Sequence, residues 1–518
     1  MQRFLGALIV LLFCCSFAAA QGDDENLAAV KDFKKFFRKF KEEAQQVEAV
    51  MTLRGKECVP AVEELLKLLE HKVPGVRQTA LKVLSEYKKQ ASFQPWIDEL
   101  PTLDSKEQAT LIKVFGAAAL SGAKPAILAV ASDDKTNGSV RYEALRALQH
   151  LGAADVAPVV GPMLQDGDPL VRMAAADAVG SLVLKELGEQ LVPLLNDAEW
   201  QVQTAAVTAC GIVRPQAAVQ PLIDLMRQAG RLRTECSEAL FRITGFEFGL
   251  DPDRWQEQWN HLMEIEGWRI PTDEELAKKA ESRAKYNELY GQKDGLNTFA
   301  GIPTSSTYVM FIIDVSGSMD DQVVEREKFQ GYRDLKKFTV VKAQLLSAIE
   351  SLTQDTYFNI VAFASDLDPW RKQLVSANII NREAAKSWVE RLAPIGGTED
   401  QELAAAGLML TDLAKGKTNT LKALMYPFGI DPDNPPKVAF TGGGKVSIKN
   451  KLDTVYFLSD GRPSVGKMID TLEILSEVRR YNEYFKIVFH TIAIGEFQKN
   501  FLRDLALQNS GVFIDLGR

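Results

Sequence analysis

Histidine and cysteine are scarce in this chain, and the arrangements of them that do chemistry are missing. The four histidines, His71, His150, His261 and His490, form no HExxH or comparable metal-ligand spacing, so a zinc-hydrolase signature is not encoded. Five cysteines contain no CxxC, and no GxSxG occurs, which leaves neither a dithiol redox motif nor a nucleophile elbow. An excess of basic charge is also lacking: 61 Lys and Arg stand against 69 Asp and Glu, for a net charge of −8. Nucleic acid as the main partner is disfavoured, since phosphate binding calls for a basic surface. Beyond the N-terminus no run of ~18 apolar residues exists, so no transmembrane helix is expected there.

The first residues read as an export signal. Arg3 gives a positive start, Phe4 to Phe13 is an apolar run too short for a membrane span, and Ala18-Ala19-Ala20 supplies small residues at a cleavage point. Residues 1–20 are assigned to the signal, with Gln21 starting the mature chain. A lipid anchor on Cys14 or Cys15 needs a small residue before the cysteine, and Phe13 precedes Cys14. The expectation is an exported protein, with periplasm, cell surface and release left open. About 500 residues remain, enough for two or more domains, with hydrophobic (46%) and charged (25%) content of the ordinary globular kind. Cys58, Cys210 and Cys236 are left. Cys210 and Cys236 are read either as a disulfide or as two buried thiols.

A pattern repeats through the first half. An apolar residue is followed by Arg or Gln and then, four positions on from the first, by a small residue. It occurs as Val76-Arg77 with Ala80, Val140-Arg141 with Ala144, Val171-Arg172 with Ala175, Val202-Gln203 with Ala206, and Leu232-Arg233 with Cys236. The starts step by 64, 31, 31 and 30 positions, and a degenerate copy near Glu107 to Phe115 fills the first gap. A period of about 30 residues built from two helices is a solenoid signature, because each pair exposes an apolar face that only its neighbour can bury. Breaks such as Asp166-Gly167-Asp168-Pro169 mark the turns. These residues resemble HEAT-type repeats over about 55–245. The resemblance implies an extended protein-binding surface, and a plain spacer is the alternative. Phe33, Phe36, Phe37 and Phe40 make a stripe among lysines, expected to cap the solenoid rather than lie on a membrane. Residues 21–262 are assigned to the repeats, and 263–305 to a charged helix (Thr272 to Tyr290) and a Gly-, Ser-, Thr- and Pro-rich linker.

The second half carries the candidate chemistry. Tyr308 to Ile313 is a continuous apolar run, the mark of a central parallel strand. It leads into Asp314-Val315-Ser316-Gly317-Ser318, at the strand end where open α/β sheets bind ligands. Pro394 to Thr398 lies between two helical patterns, and the strand Thr454 to Ser459 ends in Asp460-Gly461. Hydroxyls and carboxylates without His or Cys suit Mg²⁺, Mn²⁺ or Ca²⁺. Helices at Phe338–Leu352, Arg382–Leu392, Glu402–Leu413, Ile469–Tyr484 and Asn500–Gln508, alternating with strands at Tyr357–Ala364, Lys486–Ile494 and Val512–Leu516, predict a doubly wound, Rossmann-like sheet.

Asp314-x-Ser316-x-Ser318, Thr398 and Asp460 resemble, position by position, the metal-ion-dependent adhesion site of von Willebrand factor A (VWA) domains, over residues 306–518. The resemblance implies that Ser316, Ser318 and Thr398 contact the ion directly and that Asp314 and Asp460 hold coordinated waters. It also implies an open position completed by a carboxylate of a protein partner. Mg²⁺ is the expected ion, with Mn²⁺ or Ca²⁺ as alternatives. The fold expected for the whole chain is thus an all-α HEAT-like solenoid followed by an α/β doubly wound VWA domain.

Three features depart from the family pattern. The charged loop Met319 to Lys336 leaves beside the motif and reads either as a specificity loop or as a solvated excursion. The insert Gly416 to Lys451 is expected at the end of the domain opposite the metal face. Its Gly442-Gly443-Gly444-Lys445 lacks the Ser or Thr and the spacing of a P-loop, and reads as a hairpin turn. The sliding final helix of ligand-relaying members is not seen before Arg518, so docking without a relay is expected. The leading function is a metal-dependent adhesion or protein-binding module, not an enzyme. The alternatives are a scaffold or assembly factor working through the solenoid, and a metal-dependent hydrolase with Asp320 or Asp321 as base.

Overall fold

The computed structural model describes residues 24–516 except 229, 291–296, 300–301, 325, 330, 333, 407–412, 434–449, 461 and 496–498. The proposed signal, Cys14, Cys15 and the Gly442–Lys445 turn lie outside the described residues. The chain divides into two compact units, one running through Leu187 and the other starting at Gly188.

The first unit is a stack of helix pairs, among them Lys124–Ser132 with Gly138–His150 and Ala157–Met163 with Pro169–Ser181. Val76, Ala80, Val140, Ala144, Val171 and Ala175 are fully buried, as the repeat pattern requires. Two arginines of that pattern share one task. Arg77 Nη1 donates to the carbonyl of His71 at 2.6 Å, and Arg172 Nη1 to that of Asp166 at 2.8 Å. Each therefore closes the turn carbonyl six residues back, an acceptor the helix cannot satisfy itself. Asp168 caps the next helix by accepting from Leu170 N at 3.0 Å. The degenerate copy is the helix Ser105–Ala117, opened by an Asp104/Glu107 capping box. Gly116 is needed here, because a Cβ on it would lie 2.9 Å from Ala147 Cα of the neighbouring helix. The phenylalanine stripe packs inward: Phe33 is buried, its ring 4.9 Å from Phe37, which meets His71 edge-on at 5.8 Å. Phe36 alone is substantially exposed, with Lys35 and Lys39 over its ring.

The second unit begins with the last helices of repeat type, Trp200–Val213, Val219–Met226 and Leu232–Thr244. Gln203 Nε2 takes the arginine's place, donating to Asp197 O at 2.9 Å. Cys210 and Cys236 are free and fully buried. Burial pushes the Cys210 thiol up to about 12 and Cys236 well above its ordinary range, so both behave as small apolar side chains. The helix Pro252–Glu264 follows, with Trp255 buried edge-on to Phe248 and donating to Gly249 O. The charged helix runs Asp273–Tyr290, and a short antiparallel ribbon, Asn297–Phe299 with Ile302–Thr304, lies within the expected linker.

The rest of this unit is a mixed seven-stranded sheet: β1 (Tyr308–Asp314), β2 (Tyr357–Phe363), β3 (Leu367–Pro369), β4 (Val375–Ser376), β5 (Thr454–Ser459), β6 (Val488–Ala493) and β7 (Phe513–Asp515). The order is β3-β2-β1-β5-β6-β7, with β4 also on β2. Strands β2, β1, β5, β6 and β7 are parallel, and β3 and β4 pair antiparallel to β2. Its helices are α1 (Lys337–Ser351), α2 (Ile379–Arg391), α3 (Thr398–Ala405), α4 (Thr471–Phe485) and α5 (Lys499–Gln508), with a short helix at Thr420–Met425. Alternate residues of the strands face opposite sides, so each face has its own ring stack. Phe311 stacks on Tyr456 at 5.4 Å, and Phe363 on Phe457 at 5.4 Å.

The described residues of the insert touch both ends of the sheet, not only the end opposite the metal face. It starts at the carboxyl ends of the strands, where Asn419 N donates to Ala364 O and Ser464 N to Thr418 O. By Pro427 and Phe428 it is at the other end, Phe428 packing on Phe485 and Phe489 and Asn450 Nδ2 donating to Pro427 O at 3.1 Å.

The amino ends of β5 and β6 are held by the last repeat helices of the same unit. Arg231, 8% exposed, points its guanidinium at the carbonyls of Asp453 (3.3 Å) and Lys486. It pairs with Glu235 at 2.6 Å and stacks over the Trp200 ring. Trp200 Nε1 donates to Asn450 O at 2.7 Å. Asp453 is buried and accepts from the hydroxyls of Ser306 and Thr454. His490 stacks on Tyr456 at 4.9 Å and accepts from Val512 N through Nδ1, and burial holds it down at about 4.

Candidate metal centre

Chain direction fixes the position of the centre. From β1 the chain crosses to β2 on one side, and β5 flanks β1 on the other. The loops after β1 and β5 therefore diverge, which makes the topological switch point where open sheets take ligands.

Asp314 ends β1 and is fully buried. One carboxylate oxygen accepts from Ser316 N at 2.8 Å, the other from the Ser459 hydroxyl at 2.6 Å. Val315 N continues the ladder to Phe363 O, and Ile395 N donates to Val315 O at 2.8 Å. That bond lays the Pro394–Thr398 loop on the Asp-x-Ser-x-Ser turn. Gly317 is required at the contact, since a Cβ there would sit 2.6 Å from Gly396 O. Ser316 and Ser318 present their hydroxyls 3.3 Å apart, and Ser318 Oγ donates to Asp460 Oδ1 at 2.8 Å. Thr398 is the first residue of α3, after N-cap Gly397, in a turn braced by Gly396 N donating to Asp400 Oδ2 at 2.6 Å. The structure thus brings together the side chains of Asp314, Ser316, Ser318 and Asp460, and carries the backbone of Thr398 to the same turn.

Two residues that the motif does not name complete the cluster. Ser459 anchors Asp314 as described. Lys337, at the start of α1, pairs with Asp460 Oδ2 and donates to Ser318 O at 3.2 Å. Its sequence signal was available: a Lys-Lys pair opens a helix whose first turn contains no acidic residue, against the helix dipole, so the ammonium has to find its partner elsewhere. Asp320 is paired with Lys336 at 2.7 Å and so is held as an ion pair rather than presented as a free base. The Met319–Lys336 loop is built into the domain. Met319, Val323 and Phe329 are buried in its core, and Val323 N donates to Leu335 O; Val324 remains exposed.

Burial and the neighbouring Asp460 carboxylate push the Asp314 carboxyl up to about 7, against its bonds from Ser316 and Ser459. A buried acid that hydroxyls and amides alone do not bring back to its ordinary range is short of a positive charge. The donors around it are hard oxygens, the set a Mg²⁺-class ion prefers. Among the described residues no group of three His, Cys, Asp or Glu side chains is placed to hold an ion, so any ion here would rest on hydroxyls as much as on carboxylates.

Comparison with known proteins agrees with both halves. The family model for HEAT repeats matches residues 124–189 and 161–240. Among curated proteins, inter-alpha-trypsin inhibitor heavy chain H1 of Sus scrofa is 26% identical over 204 residues, 39% of this chain and 18% of that protein. Heavy chain H3 of Mesocricetus auratus is 27% identical over 214 residues, 41% and 19%. The chain carries HEAT repeats and a VWA domain. It spans less than a fifth of the length of these two curated relatives. A solved structure, von Willebrand factor type A from Catenulispora acidiphila, is 22% identical and covers 41% of this chain and 39% of its own, with a TM-score of 0.26; the VWA assignment stands on the strand order and the motif's place in it. No helix among the described residues is long and apolar enough to cross a membrane.

Proposed function

We propose that this chain is an exported protein-binding module whose VWA domain holds a divalent cation, Mg²⁺ first, on Ser316, Ser318, Thr398, Asp314 and Asp460, and captures a carboxylate of a protein partner. HEAT repeats beside a VWA domain point to a binding or scaffold role in general. The metal-dependent form is supported above all by one observation, the buried Asp314 carboxyl facing two serine hydroxyls and a second carboxylate at the sheet's switch point. A bound cation would supply the positive charge this oxygen cluster lacks and an open position for an anionic ligand. The protein's own part is to fix the donors: Ser459 and Ser316 N orient Asp314, and the Ile395–Val315 bond holds the third loop against the first. The VWA domain in this reading binds and does not turn over a substrate.

Titration of the full chain with Mn²⁺ and Mg²⁺ by calorimetry tests it. Saturable binding, lost in Asp314→Ala and in Ser318→Ala, is expected. An unsubstituted chain that takes up neither ion would overturn the metal-dependent reading and leave the scaffold role of the solenoid.

A further inference from the structure

We infer that Lys337 is a built-in counter-ion of the centre, an ammonium that neutralises Asp460 before the metal arrives and stays beside it when a cation binds. The inference rests on the proposed ion site and goes beyond it, because Lys337 is no part of the metal-binding motif.

Lys337 is 6% exposed, and its amine lies between the two loops that build the centre. It bonds Asp460 Oδ2, donates to the carbonyl of Ser318 at 3.2 Å and stands 3.6 Å from Asp321. Gly495, beyond β6, lies against the pair: a Cβ built on it would be 3.5 Å from Lys337 Cε and 3.8 Å from Asp460 Cβ. The helix does not favour the position, since a cation in the first turn of α1 opposes the dipole. The two halves of Asp460 thus face different groups: Oδ1 accepts from Ser318, while Oδ2 is held by Lys337.

Charge counting gives the consequence. The buried set Asp314, Asp460 and Lys337 carries −1 when all are ionised, where the two aspartates alone carry −2. A divalent ion brings the set to +1 instead of zero. Ion affinity is therefore lower than the oxygen donors alone would give, and the loaded centre keeps a positive excess that only an anionic ligand can offset. Lys337 thereby strengthens the demand for a carboxylate.

The test compares Lys337→Met, which keeps the length and removes the charge, with Lys337→Arg, which keeps the charge. Full chains are titrated with Mn²⁺ and melted in chelator. Lys337→Met is expected to bind Mn²⁺ roughly tenfold tighter or better and to melt lower than wild type in chelator, with saturating Mn²⁺ closing that gap. Lys337→Arg should stay near wild type in both. If wild type binds Mn²⁺ and Lys337→Met binds no tighter, the counter-ion role is overturned while the ion site stands. Binding by neither protein overturns the site and the inference together. Should Lys337→Met fail to fold, Lys337→Gln takes its place with the same two readouts.

Discussion

The strand β5 is six residues long, and a buried aspartate adjoins each end, Asp453 before it and Asp460 after it. The two ends of the sheet solve the same problem differently. At the amino end the groups close on one another: Asp453 accepts from Ser306 and Thr454, and Arg231 takes the Asp453 and Lys486 carbonyls. At the carboxyl end oxygen is in excess. Asp314 has hydroxyl and amide donors and no ion pair in its bonding, while Lys337 serves Asp460. The amino end has an arginine among its carbonyls and acids; the carboxyl end, in the proposed reading, takes a cation instead. Polar satisfaction of buried groups is the rule, so a local shortfall of positive charge is what supports the proposed binding end.

Four experiments break or sharpen that contrast. Arg231→Met should cost about 4 kcal/mol of stability in denaturant unfolding, because Glu235 and two carbonyls lose their partner in a buried setting, with Mn²⁺ affinity unchanged. An equal loss of Mn²⁺ affinity would mean the two ends are not independent. The next effect is pH-dependent. Burial raises the Asp453 carboxyl from 3.8 to about 6, so the folded chain holds that proton more tightly than the unfolded chain does. The stabilisation is complete below 3.8 and is lost as pH rises through about 6. Asp453→Asn keeps an acceptor for both hydroxyls and cannot titrate. Wild type should therefore lose roughly 2 kcal/mol relative to this variant between pH 4 and 6.5, measured as paired urea unfolding curves; parallel curves would show that the carboxyl does not shift. Asp314→Asn at the other end should leave the ion-free chain within about 1 kcal/mol of wild type, or more stable, while ending ion binding. A large destabilisation would place Asp314 with the closed network instead. The smallest effect belongs to the repeats, where Arg172→Ala should cost about 1 kcal/mol by freeing the Asp166 carbonyl.

Much of this was legible in the sequence because it is written in periodic or contiguous form. The run Tyr308 to Ile313 announced β1, and α1, α2, α4 and α5 begin and end within about three residues of where periodicity put them. The Val-Arg pattern showed the repeats, though not that Arg77 and Arg172 close the carbonyl six positions back while Arg141 pairs with Asp166. Four of the five named site residues meet through their side chains and the fifth through its backbone, since a strand end followed by Asp-x-Ser-x-Ser leaves little freedom of direction. The rest depends on contacts between distant segments. Lys337 lies 123 residues from Asp460 and Arg231 lies 222 from Asp453, and no spacing rule joins them. That the insert starts beside Ala364, at the carboxyl ends of the strands, was missed for the same reason: the order of strands across a sheet is not visible in their order along the chain.

The clasp around Arg231 also sets a route for mechanical load. Tension carried by the last repeat helices does not have to travel through residues 291–306 to reach the sheet. It enters at the first carbonyls before β5 and β6, and β5 passes it in line to Ser459 and Asp460. Strands pulled along their length resist by shearing a whole ladder of bonds at once, so the repeats are moored to the strand that ends at the proposed binding face. A fragment cut away at the linker would lose that mooring, which is why the full chain is the proper object for every measurement above.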